Sequence, residues 1–269
     1  MQLKFFFLLC LFLNNMIFAQ PPSGPSFHIY LLLGQSNMAG RGVVTEAYQN
    51  ERSARVWMLN KAGEWVPAQH PLHFDKPVMA GVGPGLAFGT RMAEAYPGVN
   101  IGLVPCAVGG TAIEHWQPGA YDPATKTHPY DDALLRIREA MKKGTIMGVI
   151  WHQGESNSTH PDGYLEKLVA FIERIRKEVG NPRLPFVAGE LGRYRTVYAN
   201  ISTEINKLPA RVAGTAVVTT EGLTHKGDTT HFDSPSATLL GERYAAQMLK
   251  LEQTGRSPAR EKVRDRKKD

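Results

Sequence analysis

The chain has 269 residues, of which 42% are hydrophobic and 21% are charged, and it contains two cysteines. This composition excludes a largely disordered chain and a small disulfide-stapled protein, because about 250 residues can bury the core of one α/β domain. The formal net charge is +6, but residues 255–269 hold seven Lys or Arg against three Asp or Glu. We therefore predict a basic, disordered tail at 255–269 and no nucleic-acid partner.

Residues 1–19 have the pattern of a secretory signal peptide. Lys4 precedes an apolar stretch over residues 5–13, and the small residue Ala19 stands just before Gln20. Since the stretch is too short to span a bilayer, we expect cleavage near Gln20, no stable membrane insertion, and a secreted or periplasmic protein. An N-terminal anchor that stays attached is the less favoured alternative.

Short apolar runs alternate with amphipathic segments along the rest of the chain. In order, the predicted strands are 27–33, 100–108, 145–151, 185–191 and 213–219. This alternation is typical of a mostly parallel sheet with helices on both faces. The sequence therefore predicts an α/β fold, a single three-layer α/β/α sandwich around a five-stranded sheet.

The segments between these strands contain patterns that predict helices. The predicted helices are 86–96, 131–143, 161–179, 196–208 and a last one that starts at Ser234. We expect Ser234 to cap the last helix and Pro235 to occupy its first turn. Residues 39–85 are polar and rich in Gly and Pro, so they form an excursion that either lines a cleft or is a structural hairpin. No linker interrupts residues 20–254, which we predict to be one domain; the sequence leaves its oligomeric state open.

Ser36 follows the first predicted strand in a glycine turn, Gly34-Gln35-Ser36-Asn37-Met38. A strand that ends in such a turn presents its serine at a helix N-terminus, where free N–H groups face a developing negative charge. A serine hydroxyl becomes a nucleophile only with a base in reach and an orienting group behind that base. The α/β-hydrolase elbow requires Gly at the fifth position, so Met38 disfavours that fold.

His231, with Asp228 three residues before it, is the candidate base and orienting acid. Both lie in a polar loop that precedes the last helix, so they are expected at the carboxyl edge of the sheet with Ser36. The spacing His225-x-x-Asp228-x-x-His231 also suits a zinc site, which is the less favoured alternative because no second Cys/His cluster accompanies it.

Two further segments lie at predicted strand ends and carry oxyanion-hole chemistry. After the second strand, Gly110 offers a backbone N–H that no side chain shields. After the third strand, the stretch Trp151 to Glu155 contains the side-chain amide of Gln153 and the carboxylate of Glu155. Taken singly, each segment is better explained as a plain glycine turn after a strand.

Taken together and in this order, the four segments resemble the SGNH/GDSL hydrolase superfamily. The likeness is strongest to the sialate O-acetylesterase-like branch that includes carbohydrate esterase family 6, the acetylxylan esterases. Residues 34–40, 109–111, 151–155, 228–232 and 241–245 carry it. One departure is Asn157, where relatives often have Asp.

The resemblance implies a flavodoxin-like sandwich and a serine acetylesterase that needs no cofactor and no metal. It implies that Ser36 is the nucleophile, that His231 is the base and then the acid, and that the N–H groups of Ser36 and Gly110 bind the oxyanion with the Gln153 amide. For the acid of the triad, Asp228 is preferred and Glu155 is the auxiliary candidate.

The expected substrate is an acetylated polysaccharide or oligosaccharide, acetylxylan or a related glycan. Gln35, Asn37, Trp116 and His152 are the candidate substrate-binding residues, with the Trp116 ring as a stacking surface for a sugar. The alternatives are a sialate O-acetylesterase, a general short-chain acyl esterase, and a carbohydrate-binding protein that keeps the fold without turnover.

Overall fold

The computed structural model describes residues 21–255, which form a seven-stranded sheet between two layers of helices. The strands are β1 (Phe27–Gly34), β2 (Val56–Leu59), β3 (Trp65–Pro67), β4 (Asn100–Pro105), β5 (Thr145–His152), β6 (Phe186–Gly189) and β7 (Thr215–Val218). Their order across the sheet is β3-β2-β4-β1-β5-β6-β7, and every pairing is parallel except that of β2 with β3. The predicted α/β/α sandwich is thus confirmed.

The predicted strand number was wrong. All five predicted strands are present, but the excursion over residues 39–85 adds β2 and β3 to one edge of the sheet. Both are short, at four and three residues; residues 55–59 look strand-like in the sequence, but their polar, Gly- and Pro-containing surroundings did not indicate that they join the sheet.

The helices are α1 (Ser36–Ala39), α2 (Glu46–Asn50), α3 (Gly85–Ala95), α4 (Pro129–Met141), α5 (Tyr164–Val179), α6 (Tyr198–Asn206), α7 (Leu208–Arg211) and α8 (Ser234–Gly255). The last helix begins where the sequence predicts, but Ser234 does not cap it. Asp233 accepts the first-turn N–H of Ser236, whereas the Ser234 hydroxyl donates to the carbonyl of Val43. Ser234 therefore fastens the start of α8 to the excursion.

The central strand β1 is buried on both faces, which explains its nearly continuous apolar sequence. Ile29, Leu31 and Leu33 belong to one core cluster, which they share with α4 and α5. Tyr30 and Leu32 belong to the other, which lies toward α3 and α8. This alternation with period two fixes the direction in which β1 delivers the residues that follow it.

The predicted signal peptide and most of the predicted tail lie outside the described residues, although Gly255 still belongs to α8. Between residues 21 and 255, no helix is both long enough and apolar enough to cross a bilayer.

Candidate active site

The topology brings three of the predicted motifs to one point of the sheet edge. β1 lies between β4 and β5 in the sheet. The strands β2 to β4 are added on one side of β1, and the strands β5 to β7 are added on its other side. In open α/β sheets the crevice beyond such a switch point is where ligands bind. Ser36 follows β1, the Gly109–Gly110 turn follows β4, and Gln153 follows β5.

Gly34 makes the sharp turn that exposes Ser36. Its φ is +130°, and a Cβ there would lie 2.1 Å from the carbonyl oxygen of His152. Only glycine fits this combination of left-handed backbone and close strand contact. The chain can therefore leave β1 and enter α1 within two residues, which puts Ser36 at the first position of the helix.

Ser36, His231 and Asp228 form one row of hydrogen bonds. The Ser36 hydroxyl lies 3.0 Å from Nε2 of His231, and Nδ1 of that ring lies 2.7 Å from Oδ2 of Asp228. The other carboxylate oxygen of Asp228 accepts the N–H groups of Thr230 and His231, at 3.0 and 2.8 Å. The ring therefore donates from Nδ1 and presents Nε2 as an acceptor to the serine.

The pKa values of this pair suit a base and its orienting anion. Burial would raise the pKa of Asp228, but the N–H and ring of His231 and the N–H of Thr230 outweigh it and lower the value to about 2. Burial lowers the pKa of His231 below its ordinary value, with Asp228 opposing the change and the charges of Lys226 and Arg41 adding to it. At neutral pH the ring is therefore neutral and the carboxylate charged.

Asp228 and His231 lie in a tight loop over residues 225–232, which we call the base loop. A β-bridge between His225 and Phe232 closes it, and the N–H of Lys226 donates to the carbonyl of His231 at 2.9 Å. The His225 ring accepts loop N–H groups at 2.9 and 3.2 Å. In the described part of the chain, no three His, Cys, Asp or Glu side chains are arranged to hold a metal ion.

Asn37 ties the base loop to the turn that carries Ser36. Its Oδ1 accepts the N–H of Phe232 at 3.1 Å, and its Nδ2 donates to the carbonyl of Thr230 at 3.0 Å, on the two sides of His231. Nδ2 also donates to Glu155 Oε1 at 2.5 Å. Because both ends of this buried amide are engaged, Asn37 positions the histidine and is not free to bind substrate, which corrects its prediction as a substrate contact.

Glu155 lies behind Asn37, not behind His231. Burial raises its pKa, with the hydrogen bond from Asn37 as a partial offset. Its Oε1 is 3.8 Å from Nε2 of His152, and its buried Oε2 has no hydrogen-bond partner among residues 21–255. Of the two candidate acids, Asp228 therefore contacts His231 directly, whereas Asn37 lies between Glu155 and the base loop.

The opposite side of Ser36 depends on a buried ion pair that the sequence did not reveal. Arg41 Nη2 lies 2.6 Å from Asp75 Oδ2, and the side chains are 1% and 2% exposed. The same Asp75 oxygen accepts the N–H of Gly109 at 2.8 Å, and Arg41 Nη1 donates to the carbonyl of Gly40 at 2.7 Å. The pair therefore fixes the turn that carries Gly110.

The charge of Asp75 is stable in this setting. Burial would raise its pKa, but the hydrogen bond and charge of Arg41 and the N–H of Gly109 hold it below its ordinary value. His73, two residues earlier, is fully buried, and burial lowers its pKa to about 4. The excursion thus does more than line a cleft, because it supplies the acid that anchors the Gly109–Gly110 turn.

Two backbone N–H groups remain unused next to the Ser36 hydroxyl. Neither the N–H of Ser36 nor that of Gly110 donates to an acceptor within residues 21–255. Gly110 has a φ of +92°, and a side chain there would be strained as well as shielding the N–H. Both residues line a cavity of about 320 Å³ together with His231.

The structure places Gln153 away from that cavity. It is fully buried, and its Nε2 donates to Gln35 Oε1, Thr111 O and Asn157 Oδ1 at 3.1, 3.1 and 2.8 Å. The prediction that its amide binds the oxyanion is therefore corrected, since its donors already have acceptors. Asn157 is one of those acceptors, which gives this departure from the family pattern a structural role.

Gln35 lines the cavity in its place. Its Oε1 accepts Gln153 Nε2 and, at 3.4 Å each, the N–H groups of Gly154 and Ser156. These three donors to Oε1 fix the orientation of the Gln35 amide, so its Nε2 faces the cavity. Gln35 was predicted only as a substrate contact; the pairing with Gln153 cannot be read from either residue alone.

Two predicted substrate contacts belong to the core. Trp116 is fully buried, packs edge-on against Trp151 with ring centroids 5.2 Å apart, and donates to the Thr111 hydroxyl. His152 is also fully buried, with Nδ1 3.1 Å from the Tyr244 hydroxyl, and burial lowers its pKa to about 3. Neither ring reaches the cavity, which corrects both predictions.

Comparison with known proteins gives a family match across the domain. The model of the family described as carbohydrate esterase, sialic acid-specific acetylesterase, matches residues 26–250. A probable carbohydrate esterase of Arabidopsis thaliana is 31% identical over 256 residues, which cover 86% of this chain and 93% of that protein.

Solved structures share the fold. An X-ray structure of an Arabidopsis thaliana protein has a TM-score of 0.74 at 29% identity, covering 86% of this chain and 99% of that one. NanS has a TM-score of 0.68 at 17% identity, with 87% and 100% covered. A carbohydrate acetylesterase from Xanthomonas citri has a TM-score of 0.64 at 23% identity, with 81% and 55% covered. The last two show likeness of fold alone.

The family match includes all seven strands, the base loop and most of helix α8. The chain therefore belongs to the carbohydrate esterase family of the sialic acid-specific acetylesterases, and it is a carboxylic ester hydrolase.

Proposed function

We propose that the protein removes O-acetyl groups from acetylated glycans through an acetyl-enzyme on Ser36. The observation that carries this proposal is the row Ser36–His231–Asp228, with steps of 3.0 and 2.7 Å, beside two unused backbone N–H groups. Acyl transfer requires a nucleophile, its base, an orienting anion and hydrogen-bond donors for the oxyanion.

In the first half-reaction Ser36 Oγ attacks the acetyl carbonyl carbon while Nε2 of His231 takes the serine proton. The tetrahedral oxyanion accepts the N–H groups of Ser36 and Gly110, and the Nε2 amide of Gln35 is the third donor in this proposal. The imidazolium, stabilised by Asp228, then protonates the departing sugar oxygen. In the second half, water activated by His231 attacks the acetyl-serine, and acetate leaves with the proton returned to Ser36.

The cavity of about 320 Å³ is small, which favours a short acyl group such as acetyl. The favoured substrate is acetylxylan or a related acetylated glycan. An acidic sugar such as a sialate is the second candidate. Lys76 and Arg195 line the cavity, and neither forms a salt bridge in the described part of the chain. Unpaired cations at a cavity rim favour a substrate that carries a carboxylate.

The test is hydrolysis of 4-nitrophenyl acetate together with acetate release from acetylated xylan, pectin and sialic acid. Ser36→Ala is expected to abolish turnover and labelling by a fluorophosphonate while leaving the thermal unfolding transition in place. Wild-type rates in Ser36→Ala would refute the mechanism. Release from sialic acid alone would favour the second candidate.

We also propose that residues 1–19 are removed as a signal peptide and that residues 20–254 are the secreted or periplasmic esterase domain. The supporting pattern is the early lysine, the apolar stretch and the small residue at Ala19. N-terminal sequencing of the exported protein is expected to start near Gln20. An intact N-terminus at Met1 on the exported protein would contradict this.

A further inference from the structure

We propose that a second cavity, formed by residues 190–206, is a sugar subsite that binds the neighbouring unit of a glycan chain during deacetylation. The inference rests on the proposed function, since it concerns the same active site. It assigns the enzyme to oligosaccharides or polysaccharides in preference to single acetylated sugars.

The position of this second cavity supports the assignment. It has a volume of about 400 Å³ and lies at the carboxyl end of β6, on the sheet edge that carries Ser36. Arg195 and Tyr198 line both this cavity and the one that contains Ser36. The two cavities therefore adjoin at these two residues, which places the second next to the site of deacetylation.

The wall of the second cavity is held in place by Glu190. Its carboxylate accepts Asn206 Nδ2, Arg193 Nη2 and the Thr219 hydroxyl at 2.9, 3.1 and 3.1 Å, and the N–H of Thr220 at 3.2 Å. Burial would raise the pKa of Glu190, but these donors outweigh it and lower the value. A charged acid in this setting preorganises the cavity before a ligand arrives.

The chemistry of the lining suits a sugar. Arg195 lies over the ring of Tyr198, with its Cζ 5.4 Å from the centroid, at the junction of the two cavities. The exposed residues Thr203, Asn206 and Arg193 bring a hydroxyl, an amide and a guanidinium group to the lining, whereas Ala199 provides an apolar patch. A mostly concave surface with a few placed polar groups matches a ligand with both hydroxyl and C–H faces.

The second cavity is also linked to the base loop. Tyr194, which lines it, donates its hydroxyl to the carbonyl of Thr224, and its ring packs against His225 and Phe232 at 5.0 and 5.8 Å. Gly192 permits this placement, because a Cβ there would lie 2.2 Å from the Tyr194 ring. A ligand in the second cavity would thus be held against the same framework that positions His231.

The experiment fills the second cavity without touching the first. Ala199→Trp places an indole in it, and Lys207→Trp, at an exposed position of the same region that does not line it, is the matched control. The substrates are 4-nitrophenyl acetate, an acetylated methyl xyloside and an acetylated xylo-oligosaccharide. Thermal unfolding checks that each variant folds, and Thr203→Tyr serves as a second filling variant.

We expect Ala199→Trp to lower kcat/KM for the oligosaccharide by about tenfold or more while leaving the two small substrates unchanged. Equal kcat/KM changes on all three substrates, or none, in both filling variants would overturn the subsite. If the wild type released acetate from 4-nitrophenyl acetate but from no glycan, the proposed function would fail instead. Lys207→Trp is expected to behave as the wild type.

Discussion

On one side of Ser36 lies the base loop, and on the other lies the turn that carries Gly110. The side chains of His231 and Asp228 are 17% and 37% exposed, and the hydrogen bonds that join them to each other span only three residues. Arg41 and Asp75 on the oxyanion side are almost fully buried and come from segments 34 residues apart.

This difference separates catalysis from stability. A charged group near solvent contributes little to folding, so losing Asp228 is expected to remove its proposed catalytic interaction and little else. A buried ion pair is different, because removing one partner leaves the other charge unsolvated. Substitutions on the base side are therefore expected to change rate alone, and substitutions on the oxyanion side are expected to change rate and stability together.

The largest expected effect is that of Asp228→Asn. The neutral amide no longer fixes the His231 tautomer that presents Nε2 to Ser36, so kcat for 4-nitrophenyl acetate is expected to fall by about 10⁴-fold. The unfolding temperature is expected to stay within a few degrees of the wild type. Glu155→Gln is the matched control, and a larger rate loss in that variant would make Glu155 the acid of the triad.

Next in size is Asp75→Ala, which leaves Arg41 buried without its partner. We expect a loss of about 3–5 kcal/mol in the free energy of unfolding. The N–H of Gly109 also loses its acceptor, so the turn shifts and kcat falls by about 10²- to 10³-fold, as when an oxyanion donor is removed. Chemical denaturation and steady-state kinetics measure the two losses.

A double variant separates the two consequences of that change. Arg41→Met with Asp75→Leu removes both charges and is expected to recover most of the lost stability, since apolar replacements of buried pairs are often neutral. The rate is expected to remain low, because Gly109 still has no acceptor. Full recovery of kcat would show that the pair acts on folding alone. Arg176→Met, at a buried arginine that donates to Leu184 and Ala213, is the control far from the site.

A smaller effect on the rate is expected from substitutions of Gln35 and Gln153, whose side chains are hydrogen-bonded to each other. Gln35→Ala removes the amide on the cavity side and is expected to lower kcat by about 10²-fold with KM little changed. Gln153→Ala leaves buried acceptors unpaired, so it is expected to act mainly on stability, by about 1–3 kcal/mol. If Gln153→Ala lowered kcat more than Gln35→Ala at equal stability, the original prediction for Gln153 would be restored.

The sequence predicted the parts of this molecule that depend on local pattern. β1 could be recognised from its apolar run, and the Gly34 turn and the short Asp228 to His231 spacing are contiguous in the chain. Their meeting in space follows from the parallel sheet, whose carboxyl ends share one edge.

The parts that were missed depend on packing between distant segments. Asp75 lies in a polar loop with no motif, and only the fold brings it to Arg41 and Gly109. Trp116 follows a glycine turn, which resembles a cleft position, yet the fold closes the core over it. For such residues, the type and spacing of side chains do not decide between cavity and core.

The smallest expected effect tests the electrostatics of the base loop. Lys226 Nζ lies 3.8 Å from Asp228 Oδ2, and its charge contributes to the lowered pKa of His231. In the proposed mechanism the base is neutral His231, so kcat/KM is expected to fall as the pH drops through that pKa. Lys226→Met removes a positive charge, which favours the protonated ring and raises its pKa. The acid limb of the pH profile is therefore expected to move to higher pH, whereas Lys226→Arg, which keeps the charge, is expected to leave it in place. A shift in the opposite direction, or none, would show that the charge of Lys226 does not set the pKa of His231.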